Sequence, residues 1–264
     1  IVPDKTYPSF CIVKAINNAD QRIQAKLQSE ISIMKRLAST STSGKGHTNL
    51  VLLLGVAVSI TDSLPNYYLA LQPLLGGCLF DHIRKSNVQD WRKRQWQTTS
   101  NSCLTPMSVK FYAAEIANAI IYMHSRNVVH RDIKSSNVVL DAQGHSVLID
   151  FEFAAEMPVK TDFFGRKKPH GRLAAVCGSL YYLAPEVLQS AGFKAGEGKV
   201  NAGYGFGVDW WALGVLCYEM MTGVFPFMHG VKPNENVTAE VLQKIAKSDW
   251  KKSFALNIVL LLPC

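Results

Sequence analysis

The chain has 264 residues, of which 48% are apolar and 18% charged, with a net charge of +8. That length buries a sizeable core in one or two domains, and that balance excludes a disordered polyelectrolyte. Its most apolar runs, Trp210 to Met221 (interrupted by Glu219) and Leu256 to Leu262, fall short of the roughly 20 residues that span a bilayer, and no signal peptide opens the chain.

In chain order, Phe10 to Ile16 predicts a strand. Gln21 to Leu37 predicts a helix, because Ile23, Leu27, Ile31, Met34 and Leu37 recur at spacings of three and four. Ser39 to Gly46 reads as a polar loop. Leu50 to Ile60 and Tyr67 to Leu71 read as strands joined by a turn at Ser63-Leu64-Pro65-Asn66. After Gly76-Gly77 the pattern becomes helical, with a short helix over Leu79 to Arg84. Gln89 to Cys103 is polar, basic and aromatic, an irregular insertion. Thr105-Pro106 opens a helix, since Thr accepts a first-turn hydrogen bond and Pro needs no N–H there. Tyr112, Ile116, Ile120 and Met123 form its buried stripe. Val138-Val139-Leu140 and Ser146 to Ile149 flank Asp141-Ala142-Gln143-Gly144, a hairpin pattern. A last long helix runs from about Val208 to Thr222 and stops at Gly223.

The basic excess gathers in Arg92-Lys93-Arg94 and Arg166-Lys167-Lys168, both in loop-like sequence and read as solvated insertion loops. A basic surface favours acidic partners. No stacked-aromatic or groove-reading motif accompanies these patches, so no nucleic-acid partner is expected. The cysteines at positions 11, 78, 103, 177, 217 and 264 have neither paired nor metal-type spacing. They read as buried free thiols in a reducing compartment, cytoplasmic or nuclear.

The chemistry concentrates in His130-Arg131-Asp132-Ile133-Lys134-Ser135-Ser136-Asn137 and Asp150-Phe151. The hairpin between them folds Asp150 back beside Asn137, so two oxygen ligands converge as a hard cation such as Mg²⁺ requires. Asp132 and Lys134 stand next to them. Phosphoryl transfer needs metal on the phosphates, a cation on the transferring group and a carboxylate that orients the attacking hydroxyl.

These two runs resemble the catalytic loop and the metal-binding loop of protein kinases. The resemblance extends from about Phe10 to Phe227 and is nearest to the cyclic-nucleotide-dependent (AGC) group, through Gly76-Gly77-Cys78-Leu79-Phe80, Asp150-Phe151-Glu152-Phe153-Ala154 and Asp209-Trp210-Trp211-Ala212-Leu213-Gly214. It implies an α+β, two-lobed fold. Residues 1–75 would be a partial β-rich small lobe ending in the hinge, and 76–264 a helical large lobe truncated after about 230. The implied enzyme is an ATP- and Mg²⁺-dependent serine/threonine protein kinase acting on a protein substrate; no regulatory partner is indicated.

The same resemblance assigns Asp132, Lys134 and Asn137 to catalysis. Lys14, Glu30, Leu71, Gln72, Leu74, Val139 and Asp150 are assigned to ATP, and Asn137 and Asp150 to the metal. Lys14 would grip the α- and β-phosphates, held by Glu30 on the helix. Adenine would meet the Gln72 carbonyl and the Leu74 N–H, with Leu71 as gatekeeper. His130, Arg131, Ser179, Glu186 and Asp209 fill structural or substrate-loop positions, Asp209 holding the catalytic loop by backbone hydrogen bonds. Met34, Leu53, His130 and Phe151 match the apolar stack between the lobes. Lys134, and Ser179 where such kinases carry Thr, favour serine or threonine as acceptor.

Several positions depart from the pattern. The glycine-rich phosphate loop, expected roughly 15 to 22 residues before Lys14, does not precede it, and past Phe227 the family pattern fades; the chain reads as a fragment. Glu152 replaces a glycine, which tolerates backbone angles glutamate resists. Ile12 stands where kinases usually have Ala against adenine. Ala175 stands at the activating phosphothreonine of the group. Cys78 and Ser136 replace acidic residues that would read basic side chains on a substrate, while Glu219 remains. These departures keep an alternative open, a pseudokinase that binds nucleotide or scaffolds with little phosphotransfer.

Overall fold

The structure, a computed structural model, describes residues 10–17, 19–39, 46–61, 64–85, 104–161, 167–169, 171–190, 192, 203–228 and 237–247. The fold is the two-lobed α+β arrangement that the resemblance implies. Its small sheet has the antiparallel order β1 (Ile12–Ile16), β3 (Leu64–Leu71), β2 (Leu53–Thr61). The turn expected at residues 63–66 differs from this: β3 already includes Leu64, Pro65 and Asn66. There β3 pairs with β2 alone, because β1 reaches only to Tyr67, and a strand flanked on one side accommodates a proline that cannot donate. The sequence pattern starts β2 at Leu50, whereas Leu50 makes an isolated bridge to Leu148 and the strand proper begins at Leu53.

Helix α1 (Gln21–Ser39) runs two residues past the expected end, into the start of the polar loop, whose residues 40–45 lie outside the described residues. Asp20 caps it by accepting from the Ile23 N–H at 2.8 Å. Its buried face carries Leu27, Ile33, Met34 and Leu37 together with Glu30, while Ile23 in the first turn is 39% exposed. Burying the Glu30 carboxylate rotates this face away from the simple apolar stripe.

The larger lobe is built on two helices, α3 (Pro106–Ser125) and α5 (Gly207–Thr222), which follow α2 (Leu79–Lys85) and α4 (Pro185–Ser190) in the same lobe. Thr105 caps α3 by accepting from the Ser108 N–H at 3.2 Å. Ile116, Ile120 and Met123 are fully buried as the periodicity predicts; Tyr112 is only partly buried. They meet Val215, Leu216 and Met220 of α5, which is apolar around most of its circumference and correspondingly buried. Gly223, at φ 73°, closes α5 with its N–H on Glu219 O.

The hairpin forms as patterned: β6 (Val138–Leu140) pairs antiparallel with β7 (Ser146–Leu148), and β4 (Gly77–Cys78) adds an edge to β6. This small sheet is joined to the other lobe by backbone bonds from Val51 N to Leu148 O (3.0 Å) and from Leu148 N to Asn49 O (2.9 Å). Asn49 Nδ2 donates to Ser146 O at 2.8 Å, closing the same junction. β5 (Val128–Val129) pairs with β8 (Ala155–Glu156).

Further findings correct the sequence reading. Lys167 and Lys168 belong to a β-ribbon, β9 (Val159–Thr161) paired with β10 (Lys167–Pro169), rather than to a plain loop. The other basic patch, 92–94, and the insertion 89–103 lie outside the described residues. Beyond Phe227, where the pattern fades, residues Val237–Lys247 form α6, with Val241 and Ile245 wholly buried against Leu188 and the rest of a second core. Of the cysteines described, Cys11 is exposed and Cys78, Cys177 and Cys217 are half-buried; all four are free. Burial pushes the Cys217 thiol up to about 11, which leaves it an inert thiol at neutral pH.

Candidate active site

A cavity of about 470 Å³ lies between the small sheet, α1 and the hairpin. The seven positions matched to ATP contacts, Lys14, Glu30, Leu71, Gln72, Leu74, Val139 and Asp150, all line it, as does Asn137. Strand pairing explains the grouping. β1 and β3 are in register Lys14↔Leu69 and Ile12↔Leu71, so Lys14 and Leu71 are brought to one sheet region. Val51, Met34 and Ile149 complete the apolar wall; sequence reasoning missed Val51 and Ile149, whose apolar character carries no signal beyond core.

Lys14 Nζ donates to Glu30 Oε1 at 2.9 Å, to Glu30 Oε2 at 3.2 Å and to Asp150 Oδ1 at 3.3 Å. Burial pulls the lysine down, but the Glu30 bond and charge, aided by Asp150, outweigh it and hold its pKa above the ordinary value. Burial pushes Glu30 the other way, up, against the pull of Lys14. An ammonium on both carboxylate oxygens is the geometry of an ion pair.

The catalytic-loop residues are fixed from beneath by Asp209. This carboxylate is 1% exposed and accepts from the His130 N–H and the Arg131 N–H, both at 2.9 Å. His124 Nε2, 2.8 Å from Asp209 Oδ2, supports it from α3, a partner the sequence did not signal. The clamp holds Arg131 at φ 68°, a left-handed conformation that costs a non-glycine residue of order 1–3 kcal/mol. His130 is wholly buried against Phe151, ring centroids 5.3 Å apart, and burial holds its pKa below the ordinary value, so it is neutral. Met34 is buried in the same core; Leu53 is only partly so.

Asp132 is the hub of the polar cluster. Lys134 Nζ donates to its Oδ2 at 2.7 Å and to Ser179 Oγ at 2.9 Å. The Ser179 N–H donates to Asp132 Oδ1 at 2.8 Å, and Asn137 Nδ2 to Asp132 Oδ2 at 3.0 Å. The hairpin closes on Asn137 through the Ile149 N–H, which donates to the Asn137 carbonyl at 2.9 Å and brings Asp150 alongside. With its Nδ2 spent on Asp132, Asn137 has its side-chain oxygen left as an acceptor. Asp150, at φ 64°, adds a carboxylate. Among the described residues no group of three His, Cys, Asp or Glu side chains is placed to hold a metal. Two oxygen donors suit a hard cation that keeps other oxygen ligands.

Three further assignments come out differently from one another. Glu186 lies in the first turn of α4 and is not part of the cavity wall. Glu152 lines the cavity rim, 3.8 Å from Lys26 Nζ of α1. Left-handed non-glycine residues among those described are Asn127, Arg131 and Asp150, so Glu152 occupies ordinary backbone space and the glycine it replaces is not required here. Glu219 is 2% exposed, accepting from the Tyr182 hydroxyl and, at 3.2 Å, from the Ser135 hydroxyl. Burial raises its pKa against these donors. It is a buried structural carboxylate rather than an open reader of substrate.

Comparison with known proteins agrees with this geometry. The family model described as the protein kinase domain matches residues 4–259, past both ends of the stretch on which the resemblance rested. The chain is 32% identical over 222 residues to the serine/threonine-protein kinase Sgk1 of Xenopus tropicalis, covering 82% of this chain and 44% of that protein. It is 38% identical over 160 residues to the cAMP-dependent protein kinase catalytic subunit of Dictyostelium discoideum, covering 61% and 19%. It is 31% identical over 230 residues to the catalytic subunit PRKX of Mus musculus, covering 86% and 51%. The chain thus spans about half or less of the length of these relatives. The match over nearly its whole length, on a fold that sets a lysine–glutamate pair in a cavity whose wall Asn137 joins to the catalytic-loop cluster, places the chain in the protein kinase domain family.

Proposed function

We propose that this chain is the catalytic domain of a serine/threonine protein kinase, transferring the γ-phosphate of ATP to a protein hydroxyl. The observation that carries the reading is that Lys14, paired with Glu30 and Asp150, lines one cavity, and that Asn137 of the same wall bonds to Asp132, which Lys134 and Ser179 hold. The relatives, one named as a serine/threonine-protein kinase and another as a cAMP-dependent protein kinase catalytic subunit, support it. Residues 1–75 are taken as the small lobe with the hinge at its end, and 76–264 as the large lobe.

In this reading the cavity takes the nucleotide, adenine against Leu71, Gln72, Leu74 and Val139. Lys14 holds the α- and β-phosphates. The Asn137 side-chain oxygen and the Asp150 carboxylate hold Mg²⁺, which supplies charge neutralisation on the phosphates. Asp132 orients the acceptor hydroxyl and takes its proton as the oxygen bonds to the γ-phosphorus and the bond to the β-phosphate oxygen breaks. Lys134 stabilises the transferring group, and Ser179 holds the substrate loop on Asp132. His130, Arg131 and Asp209 keep this loop in shape. An intracellular location, cytoplasmic or nuclear, belongs to the same proposal and draws support from the free thiols. Among the described residues no helix is long and apolar enough to cross a membrane.

The test is Asp132→Asn. Phosphotransfer to casein should fall by about 10²-fold or more, while Mg²⁺-ATP still raises the melting temperature. Undiminished transfer by the variant would remove Asp132 from its role and with it this reading.

A further inference from the structure

The side chain of Arg131 turns away from the cavity. Its Nε donates to the Phe153 carbonyl at 2.6 Å, and its Nη1 donates to the Tyr204 hydroxyl at 3.1 Å. The Tyr204 hydroxyl donates onward to the Ala175 carbonyl. A phenol both accepts and donates, so this one side chain links the catalytic-loop arginine to the backbone of the 171–179 segment. Burial raises the Tyr204 pKa against the pull of Arg131, so the proton it gives to Ala175 is present at neutral pH.

The tether is reinforced on both sides. Leu173 and Tyr204 exchange backbone hydrogen bonds of 2.9 and 2.8 Å, and Arg172 Nη1 donates to the Gly203 carbonyl at 2.9 Å. Tyr204 is 1% exposed. Gly178, at φ 100°, packs so closely on the Arg131 carbonyl that a Cβ would overlap it. One residue on, the Ser179 N–H reaches Asp132 at 2.8 Å. The segment is therefore pinned at Leu173, Ala175, Gly178 and Ser179. From Gly171 to Gly178 the sequence contains no Ser, Thr or Tyr, so no phosphate can be attached along it.

We infer that Tyr204 is a positioning residue: its hydroxyl bridge between Arg131 and the Ala175 carbonyl locks segment 171–179 against the catalytic loop, with no phosphate between Gly171 and Gly178 needed to order it. The tether is independent of the kinase reading; only its consequence for a protein acceptor rests on that reading.

The experiment pairs hydrogen–deuterium exchange with kinetics on the full chain. Tyr204→Phe keeps the ring and removes the hydroxyl's contacts with Arg131, Ala175 and Cys177. Exchange in the 171–179 peptide should quicken about tenfold or more. In parallel, kcat/KM for casein should fall by about the same factor, through KM for casein with KM for ATP unchanged. Unchanged exchange in that peptide overturns the inference. Should the Phe variant not fold, the wild-type protein decides. Phosphatase treatment must leave exchange of 171–179 slow, and a rise on dephosphorylation overturns the inference. A wild-type protein that transfers no phosphate to casein, yet whose Phe variant exchanges faster, keeps the tether and refutes the kinase reading.

Discussion

Lys14 and Asp150 are 136 positions apart, yet Nζ of one lies 3.3 Å from Oδ1 of the other. The same ammonium holds both oxygens of Glu30 on α1. Three separate elements, the first strand, the following helix and the loop after the hairpin, converge on one nitrogen. A phosphate entering the cavity meets a cation already held in place and spends little to order it.

Replacing that ammonium should separate stability from nucleotide binding. Lys14→Met leaves the Glu30 carboxylate, 5% exposed, without its counter-charge. The lysine side chain is 35% exposed, so solvent screening tempers the cost to about 1–2 kcal/mol. Thermal unfolding with and without Mg²⁺-ATP checks both parts: a lower melting temperature alone, and loss of the stabilisation by nucleotide. A variant that Mg²⁺-ATP stabilises as much as the wild type contradicts the assignment of Lys14.

Asp209 should matter for stability more than its distance from the cavity suggests. Asp209→Ala strands the buried N–H of His130 and the part-buried N–H of Arg131, and removes the acceptor beside His124. The expected loss is about 2–4 kcal/mol. Asp209→Asn, which keeps one acceptor oxygen, should fall between that variant and the wild type. Urea denaturation measures all three; a loss under about 0.5 kcal/mol for the alanine variant would count against the clamp.

The buried His130 makes a signed prediction about pH. Burial keeps it neutral in the fold, with a pKa below the ordinary value. The unfolded chain takes up this proton near pH 6.5, where the folded protein resists it. Its contribution is therefore complete above about pH 6.5 and is lost as pH falls towards the folded value, by at most about 1.4 kcal/mol per pH unit. Denaturation at pH 7.5 and 5.5 should show a smaller acid loss for His130→Phe than for the wild type. Equal losses in the two proteins would show that His130 does not resist protonation.

Much of the architecture is written in short-range pattern. Thr105-Pro106 marks the start of α3 and Gly223 the end of α5, because capping and left-handed termination depend on residues within one turn. The apolar runs on either side of Asp141 to Gly144 specify the hairpin, which carries Asp150 back to Asn137. Those groups carried the resemblance to the family, and through it the polar part of the cavity lining; Val51 and Ile149 emerged only with the fold.

Other features depend on contacts between distant segments. The inward turn of Glu30 displaces the stripe read for α1, since a buried carboxylate follows its lysine rather than helical periodicity. Glu219 reads as an open acidic group until Tyr182 and Ser135, 37 and 84 positions away, enclose it. Tyr204 carries no signal in sequence, and its link to Arg131 spans 73 positions. Sequence by itself determined the principal helices α1, α3 and α5, the hairpin and the set of chemical groups, because backbone periodicity and capping act within a few residues. Only the tertiary structure decided which of those groups face the cavity, which are enclosed and what holds the catalytic loop in shape, because burial and long-range hydrogen bonds exist only once the lobes have packed.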